Sequence, residues 1–313
     1  MSGNTDSDER TSSEVDAFLC NCLRSIVHDE PLPRWPDDLL GAEECALERL
    51  AFHGIAPFLN SAAPFPTNWP EDVTHEIRKT AGLVSFWETT HRQAIATLVE
   101  GFERVGISVV ITKGTALAYS VYPQPSLRRR GDTDIIILSG SRKRARAVLA
   151  DCGFSRDPAP RPLQEDWHYE SAIGICHSVD IHWRLNASAA ISKLLEQGHC
   201  FDERLGLDRI SPNAKGIGLI GNLLLTSINR HSHGTMGYHI GEKKMFETDR
   251  LIWALDIFLL TRPFEDAEWQ DVVKQSGITG TAGIVLAGLE FARKALDARV
   301  PASVMDALRA QTG

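Results

Sequence analysis

The hydrophobic period of the chain changes at Gly106, and that change limits the fold more than any other feature of the sequence. Upstream, apolar residues recur at helical spacing, as in Val15, Phe18, Leu19, Cys22, Leu23 and Ile26. A second helix is expected over 38–59 and a long helix, or two, over 72–105, with Pro-rich connections at 31–36 and 64–70. From Ile107 to Ile111 the residues are mostly β-branched and the run is short, which reads as a buried strand. Asp132 to Leu138 reads as a second strand. The stretches 167–173 and 175–185 flank Gly174 as an antiparallel hairpin. Short helices are expected at 116–121 and 141–150. Beyond 187 the helical period returns, over 189–197, 214–230, 247–260, 267–275 and 281–298. The expected organisation is therefore α+β: a disordered tail over 1–13, a helical region over 14–105, an α/β core over 106–186 and a second helical region over 187–313.

A formal net charge of −8 argues against general attraction to a phosphate backbone and favours a small molecule, peptide or protein as partner over nucleic acid. The six cysteines follow no zinc-ligand spacing. The first fifteen residues are polar and acidic, unlike a secretory signal. The apolar run from Gly216 to Leu225 is broken by Asn222 and is too short to span a bilayer. A cytoplasmic protein with no membrane partner is the expectation.

Gly131-Asp132-Thr133-Asp134 stands at the head of the second strand. Side chains alternate across a strand, so Asp132 and Asp134 share one face while Ile135 and Ile137 point to the other. Two carboxylates this close repel each other unless a cation intervenes. In Val179-Asp180-Ile181-His182-Trp183-Arg184 the alternation repeats, with Asp180, His182 and Arg184 on the polar face. If this strand lies beside the first, Asp180 completes a three-carboxylate site. Such a site can hold two Mg²⁺ ions about 3.5–4 Å apart. An Asp-x-Asp pair alone is also common on surface turns, so its context decides. Lys113-Gly114-Thr115 supplies that context at a strand-to-helix turn, where Gly lets the backbone approach a phosphate and the helix N-terminus adds partial positive charge. Lys113 adds a point charge. The segment is not a Walker A loop, because the upstream glycines are missing.

Lys113-Gly114-Thr115-Ala116-Leu117, Tyr122-Pro123-Gln124-Pro125, Leu127-Arg128, Gly131-Asp132-Thr133-Asp134-Ile135 and Val179-Asp180-Ile181-His182-Trp183 together resemble a bacterial family of uncharacterised nucleotidyltransferases in the DNA-polymerase-β-like superfamily. The segments around Ala51 to Pro57 and Trp253 to Ile257 are similar to family segments too. The resemblance implies a polymerase-β-like core, a small mixed sheet with helices, flanked by helical regions. It implies Asp132, Asp134 and Asp180 as catalytic residues and metal ligands, and Lys113, Gly114, Thr115, Arg128 and His182 around the nucleotide. Thr115 replaces the usual Ser but keeps the hydroxyl. The implied cofactor is Mg²⁺, one or two ions, with Mn²⁺ able to substitute. The implied substrate is a nucleoside triphosphate, ATP first. An NMP would pass to an acceptor hydroxyl of a peptide, protein or small molecule, with release of pyrophosphate. Phosphoryl transfer in the same site, or nucleotide binding without catalysis, are the competing expectations.

Arg129, Arg130 and the cluster Arg142 to Arg146 read as solvated charge. His231, His233 and His239 offer no third zinc ligand at a recognisable spacing and read instead as a loop closing over the nucleotide.

Overall fold

The computed structural model describes residues 3–137, 141–158, 164–184, 202–240, 243–246 and 249–312. The N-terminal region holds α1 (Gly3–Val27), α2 (Glu43–His53), α3 (Ala56–Asn60) and α4 (Glu71–Arg104). The core follows with β1 (Val109–Thr112), α5 (Lys113–Ser120), β2 (Asp132–Ile137), α6 (Arg142–Asp151), β3 (Ser155–Arg156), β4 (Gln164–Glu170) and β5 (Cys176–His182). Next come β6 (Arg204–Gly206), β7 (Lys215–Ile217), α7 (Leu219–Met236), β8 (Tyr238–Ile240) and β9 (Lys243–Met245). The chain ends in α8 (Leu251–Thr261), α9 (Asp266–Ile278), α10 (Ala282–Leu296) and α11 (Ala302–Ala310).

Several expectations need correction. Residues assigned to a disordered tail extend α1 back to Gly3, and Arg10 pairs with Glu14 one turn on. The single helix expected over 38–59 is broken after His53, where Gly54 turns left-handed at φ +70° and Pro57 begins a new short helix. The segment read as helix from 214 begins instead as a strand. β6 and β7 come from the region read as wholly helical. The helix expected over 189–197 lies outside the described residues.

Seven strands form one mixed sheet in the order β3-β4-β5-β2-β1-β7-β6, and β8 and β9 form a separate hairpin. β2 runs parallel to β5 and antiparallel to β1. Alternation sends the two faces of β2 into two different cores. Ile135 and Ile137 pack with Val179, Ile181 and the second half of α4, where Ile95, Leu98 and Phe102 are buried. Ile136 packs on the other side with α7, α8, α10 and the N-terminal helices, which share one core. The sheet is thus a middle layer with helices on both faces, the small mixed sheet flanked by helical regions that the sequence led us to expect.

Candidate active site

The register of β2 and β5 builds the site. Asp134 pairs with Asp180 and Ile136 with His182, so the two aspartates stand side by side on the face turned toward α7. Ligand atoms of Asp134, Asp180 and His182 all lie within 4.8 Å of one another. Asp132 begins the same strand face two residues earlier and reaches solvent. The structure therefore brings together two of the three expected carboxylates with His182, and holds Asp132 at the rim of the group.

Asp134 is 5% exposed. Its Oδ1 accepts a hydrogen bond from Lys113 Nζ at 2.5 Å and lies 2.8 Å from His182 Nε2. Burial alone would raise the carboxyl pKa; the Lys113 charge, then His182, outweigh it and hold Asp134 well below the usual carboxylate range. Lys113 answers in kind: burial pulls its pKa down, and Asp134, Asp132 and Asp180 together hold it above its ordinary value. Among the described residues no cation makes such a hydrogen bond to Asp180. Burial, then the charges of Asp134, Asp132 and Asp166, push it up to about 8. Asp132 is crowded by protein on its inner side, and this desolvation, then the Asp134 charge, push it up to about 6. The group carries more negative charge than Lys113 balances. Carboxylate oxygens from two adjacent strands are the donors a hard divalent cation takes, so the residues fit such an ion.

The turn that carries Lys113 is strained. Lys113 lies in the left-handed region at φ +51°, which costs an L-residue free energy and is found where the surroundings enforce it. Gly114 is required here for a reason other than phosphate approach: a Cβ at this position would lie 2.5 Å from Arg128 Nη1. Arg128, expected on a nucleotide phosphate, is committed elsewhere. Its Nε and Nη2 donate to the two oxygens of Asp256 at 2.9 and 2.7 Å, and Tyr122 Oη donates to the same carboxylate at 2.7 Å. Asp256 is 0% exposed, so this pair ties the core to α8.

Thr115, also expected beside a nucleotide phosphate, is bonded within the protein. Its hydroxyl accepts from Arg130 Nε at 3.0 Å and lies 2.8 Å from Thr133 Oγ1. Arg130, read as solvated, has a side chain only 2% exposed; it pairs with Glu88 at 2.6 Å and lies over the rings of Trp87 and Tyr119. Thr133 Oγ1 then reaches His91 Nε2 at 2.7 Å, and His91 Nδ1 faces His177 Nδ1 at 3.3 Å. Burial, then Arg130 and His177, hold His91 well below its ordinary pKa, and burial lowers His177. A polar network thus backs the Asp132–Asp134 strand from the opposite face. The sequence reading did not find it, although Arg128 and Arg130 alternate inward around an exposed Arg129. Within the cluster read as solvated, Arg142 lies over the Trp183 ring and Arg146 pairs with Glu165. His231 and His233 sit on α7, not in a loop, and point apart at i, i+2.

Among the described residues no helix is long and apolar enough to cross a membrane. No curated protein matches the chain. Among solved structures, an antigenic nucleotidyltransferase-like protein from Paracoccidioides brasiliensis is similar at 13% identity and a TM-score of 0.42, over 69% of this chain and 96% of that one. The model of a family described as uncharacterised nucleotidyltransferases matches residues 42–297, which take in the whole sheet, the carboxylate group and helices on both sides of it. By that match over most of its length, the chain belongs to this nucleotidyltransferase family.

Proposed function

We propose that the chain transfers a nucleoside monophosphate from a Mg²⁺-bound nucleoside triphosphate, ATP foremost, to an acceptor hydroxyl on a peptide, protein or small molecule. The observation that carries this reading is the pairing of Asp134 with Asp180 on adjacent parallel strands, with Asp132 two residues ahead on the same face. Asp132, Asp134 and Asp180 would hold the metal, with Mn²⁺ an acceptable substitute. Bound there, the cation supplies Lewis-acid polarisation of the phosphates and stabilises charge on the departing pyrophosphate.

The chain's own residues do the rest. Lys113 and His182 fix Asp134 through one oxygen, Oδ1. Lys113 places positive charge at the turn where the phosphates approach. Asp180 takes the proton of the acceptor hydroxyl as its oxygen attacks the α-phosphorus. The bond from that phosphorus to the oxygen bridging to the β-phosphate breaks, and pyrophosphate leaves. Burial and the neighbouring carboxylates push Asp180 up to about 8 in the absence of a cation, so a divalent ion bound beside it would ionise it for this role.

The test is Mg²⁺-dependent release of pyrophosphate from ATP in the presence of a mixed pool of peptide and small-molecule acceptors. Asp134→Ala and Asp180→Ala should each lower it by about a hundredfold or more with circular dichroism unchanged. Release retained in both variants sinks the reading. The mass of the modified acceptor separates NMP transfer from phosphoryl transfer.

A further inference from the structure

Beside the carboxylate group lies a cavity of about 120 Å³ between the sheet and α7. Lys113 and His182 form its sheet wall, and Asn229, Ser232 and His233 form its α7 wall. These three recur at i, i+3 and i+4, so they lie on one side of the helix. Ile136 and Leu225 supply apolar surface, and Met236, 64% exposed, stands at the mouth.

The chemistry of the lining is selective. Among the described lining residues there is no Asp or Glu. Lys113 gives one of its three ammonium donors to Asp134 at 2.5 Å. The α7 wall adds neutral hydrogen-bonding capacity. Asn229 offers an amide that both donates and accepts, and Ser232 a hydroxyl that does the same. The His233 imidazole beside them adds no charge at physiological pH, because burial, then Lys113 and Arg250, push it down to about 4. Uncharged donors and acceptors on one wall with aliphatic carbon on another match a hydroxyl-bearing carbon skeleton of a few atoms.

We infer that this cavity binds an uncharged hydroxyl-bearing group of a substrate, held by Asn229 and Ser232 beside Asp134. The inference rests on the nucleotidyl-transfer reading above and extends it to how the substrate is chosen. Two sources carry this chemistry: the ribose of the nucleotide donor and the alcohol of the acceptor.

The experiment compares the full chain with the Asn229→Ala/Ser232→Ala double variant. Binding of ATP and of 2′,3′-dideoxy-ATP is measured by calorimetry with Mg²⁺, and glycerol serves as the probe alcohol in pyrophosphate release. If the ribose is the ligand, dideoxy-ATP binds the wild type about tenfold more weakly than ATP, and the double variant loses that difference. If the acceptor alcohol is the ligand, both nucleotides bind both proteins equally. Glycerol then stimulates release by the wild type and about tenfold less by the variant. Either result supports the site. A double variant that equals the wild type in ATP binding, in the ATP to dideoxy-ATP ratio and in the glycerol response overturns it. Asp134→Asn is the control for the parent reading: if the wild type binds Mg-ATP no better than that variant, nucleotidyl transfer fails first, and the cavity inference with it.

Discussion

Thr133 lies between the two aspartates of β2, yet its hydroxyl turns to the opposite face of the sheet and meets His91 Nε2 at 2.7 Å. The same hydroxyl lies 2.8 Å from that of Thr115 in the strained turn. One side chain therefore links the carboxylate strand, the Lys113 turn and α4. Thr133→Val keeps the shape and removes both contacts, leaving the buried His91 Nε2 without its partner, while Thr115 keeps its bond from Arg130. Stability should fall by about 1–3 kcal/mol in urea denaturation, and Thr133→Ser should restore most of it. Mn²⁺ affinity, read by electron paramagnetic resonance, should weaken in the Val variant and recover in the Ser variant. An unchanged Mn²⁺ affinity in Thr133→Val would show that the network supports the fold and not the site.

Gly114 and Arg128 should be energetically coupled. A Cβ at 114 would press on a guanidinium that its two hydrogen bonds to Asp256 prevent from moving. Gly114→Ala should cost about 1–3 kcal/mol. Arg128→Ala should cost more, about 3–5 kcal/mol, because it strands a fully buried Asp256 carboxylate. In the Arg128→Ala background the clash is gone, so adding Gly114→Ala should cost much less than it does alone. A double-mutant cycle by urea denaturation measures this, and additive losses would refute the coupling.

These two relationships mark where the sequence stops being legible. Alternation along β2 and β5 shows which face Asp132, Asp134, Asp180 and His182 share, because a period of two is a local property. Alternation leaves open whether the two strands are neighbours, and the register of Asp134 with Asp180 supplies that. The partners of Thr133, Arg128 and Arg130 are another matter. Asp256 is 128 residues from Arg128, and Glu88 and His91 lie on a helix before the core begins. A buried polar pair so distant leaves no periodic trace in either segment. β6 and β7 escape for a different reason: at three residues each, with glycine in both, they are too short to show alternation. Arg130 was within reach, since in the extended stretch before Asp132 every second arginine must face inward.

His53 should set part of the acid sensitivity of the fold. Its Nδ1 accepts from the Leu251 backbone N–H, so its Nε2 carries the proton donated to Asp16, which Arg49 also holds. Burial lowers the His53 pKa despite Asp16. Burial would raise Asp16, but hydrogen bonds from His53 and Arg49 outweigh it and leave Asp16 lowered. Both groups bind protons less readily in the folded chain than in the unfolded one. Stability is therefore full above the unfolded His value and falls as pH drops below about 6.5, with the Asp16 share lost below about 4. Urea midpoints across this range should show the first step in the wild type and a shallower one in His53→Gln, because the lowered His91, His177 and His233 contribute to it as well. A His53→Gln profile parallel to the wild type would exclude this assignment.

The metal has two candidate ligand sets. Asp134, Asp180 and His182 have the most closely grouped ligand atoms, whereas Asp132 stands at the rim. Grouping alone would favour His182 as a ligand. Yet Mg²⁺ is a hard cation that takes oxygen, and His182 Nε2 is already turned onto Asp134 Oδ1 at 2.8 Å. Its part is then to orient Asp134, as a partner behind a ligand commonly does. Asp132→Asn should weaken Mg²⁺ binding by well over tenfold, since it removes a ligand charge. His182→Ala should weaken it by about tenfold, the usual cost of losing an orienting partner, and should leave the preference for Mg²⁺ over Zn²⁺ unchanged. Calorimetric titration of both variants with the two metals decides between them. If His182→Ala abolishes binding while Asp132→Asn keeps it, the histidine is the ligand and the carboxylate at the rim only attracts the ion.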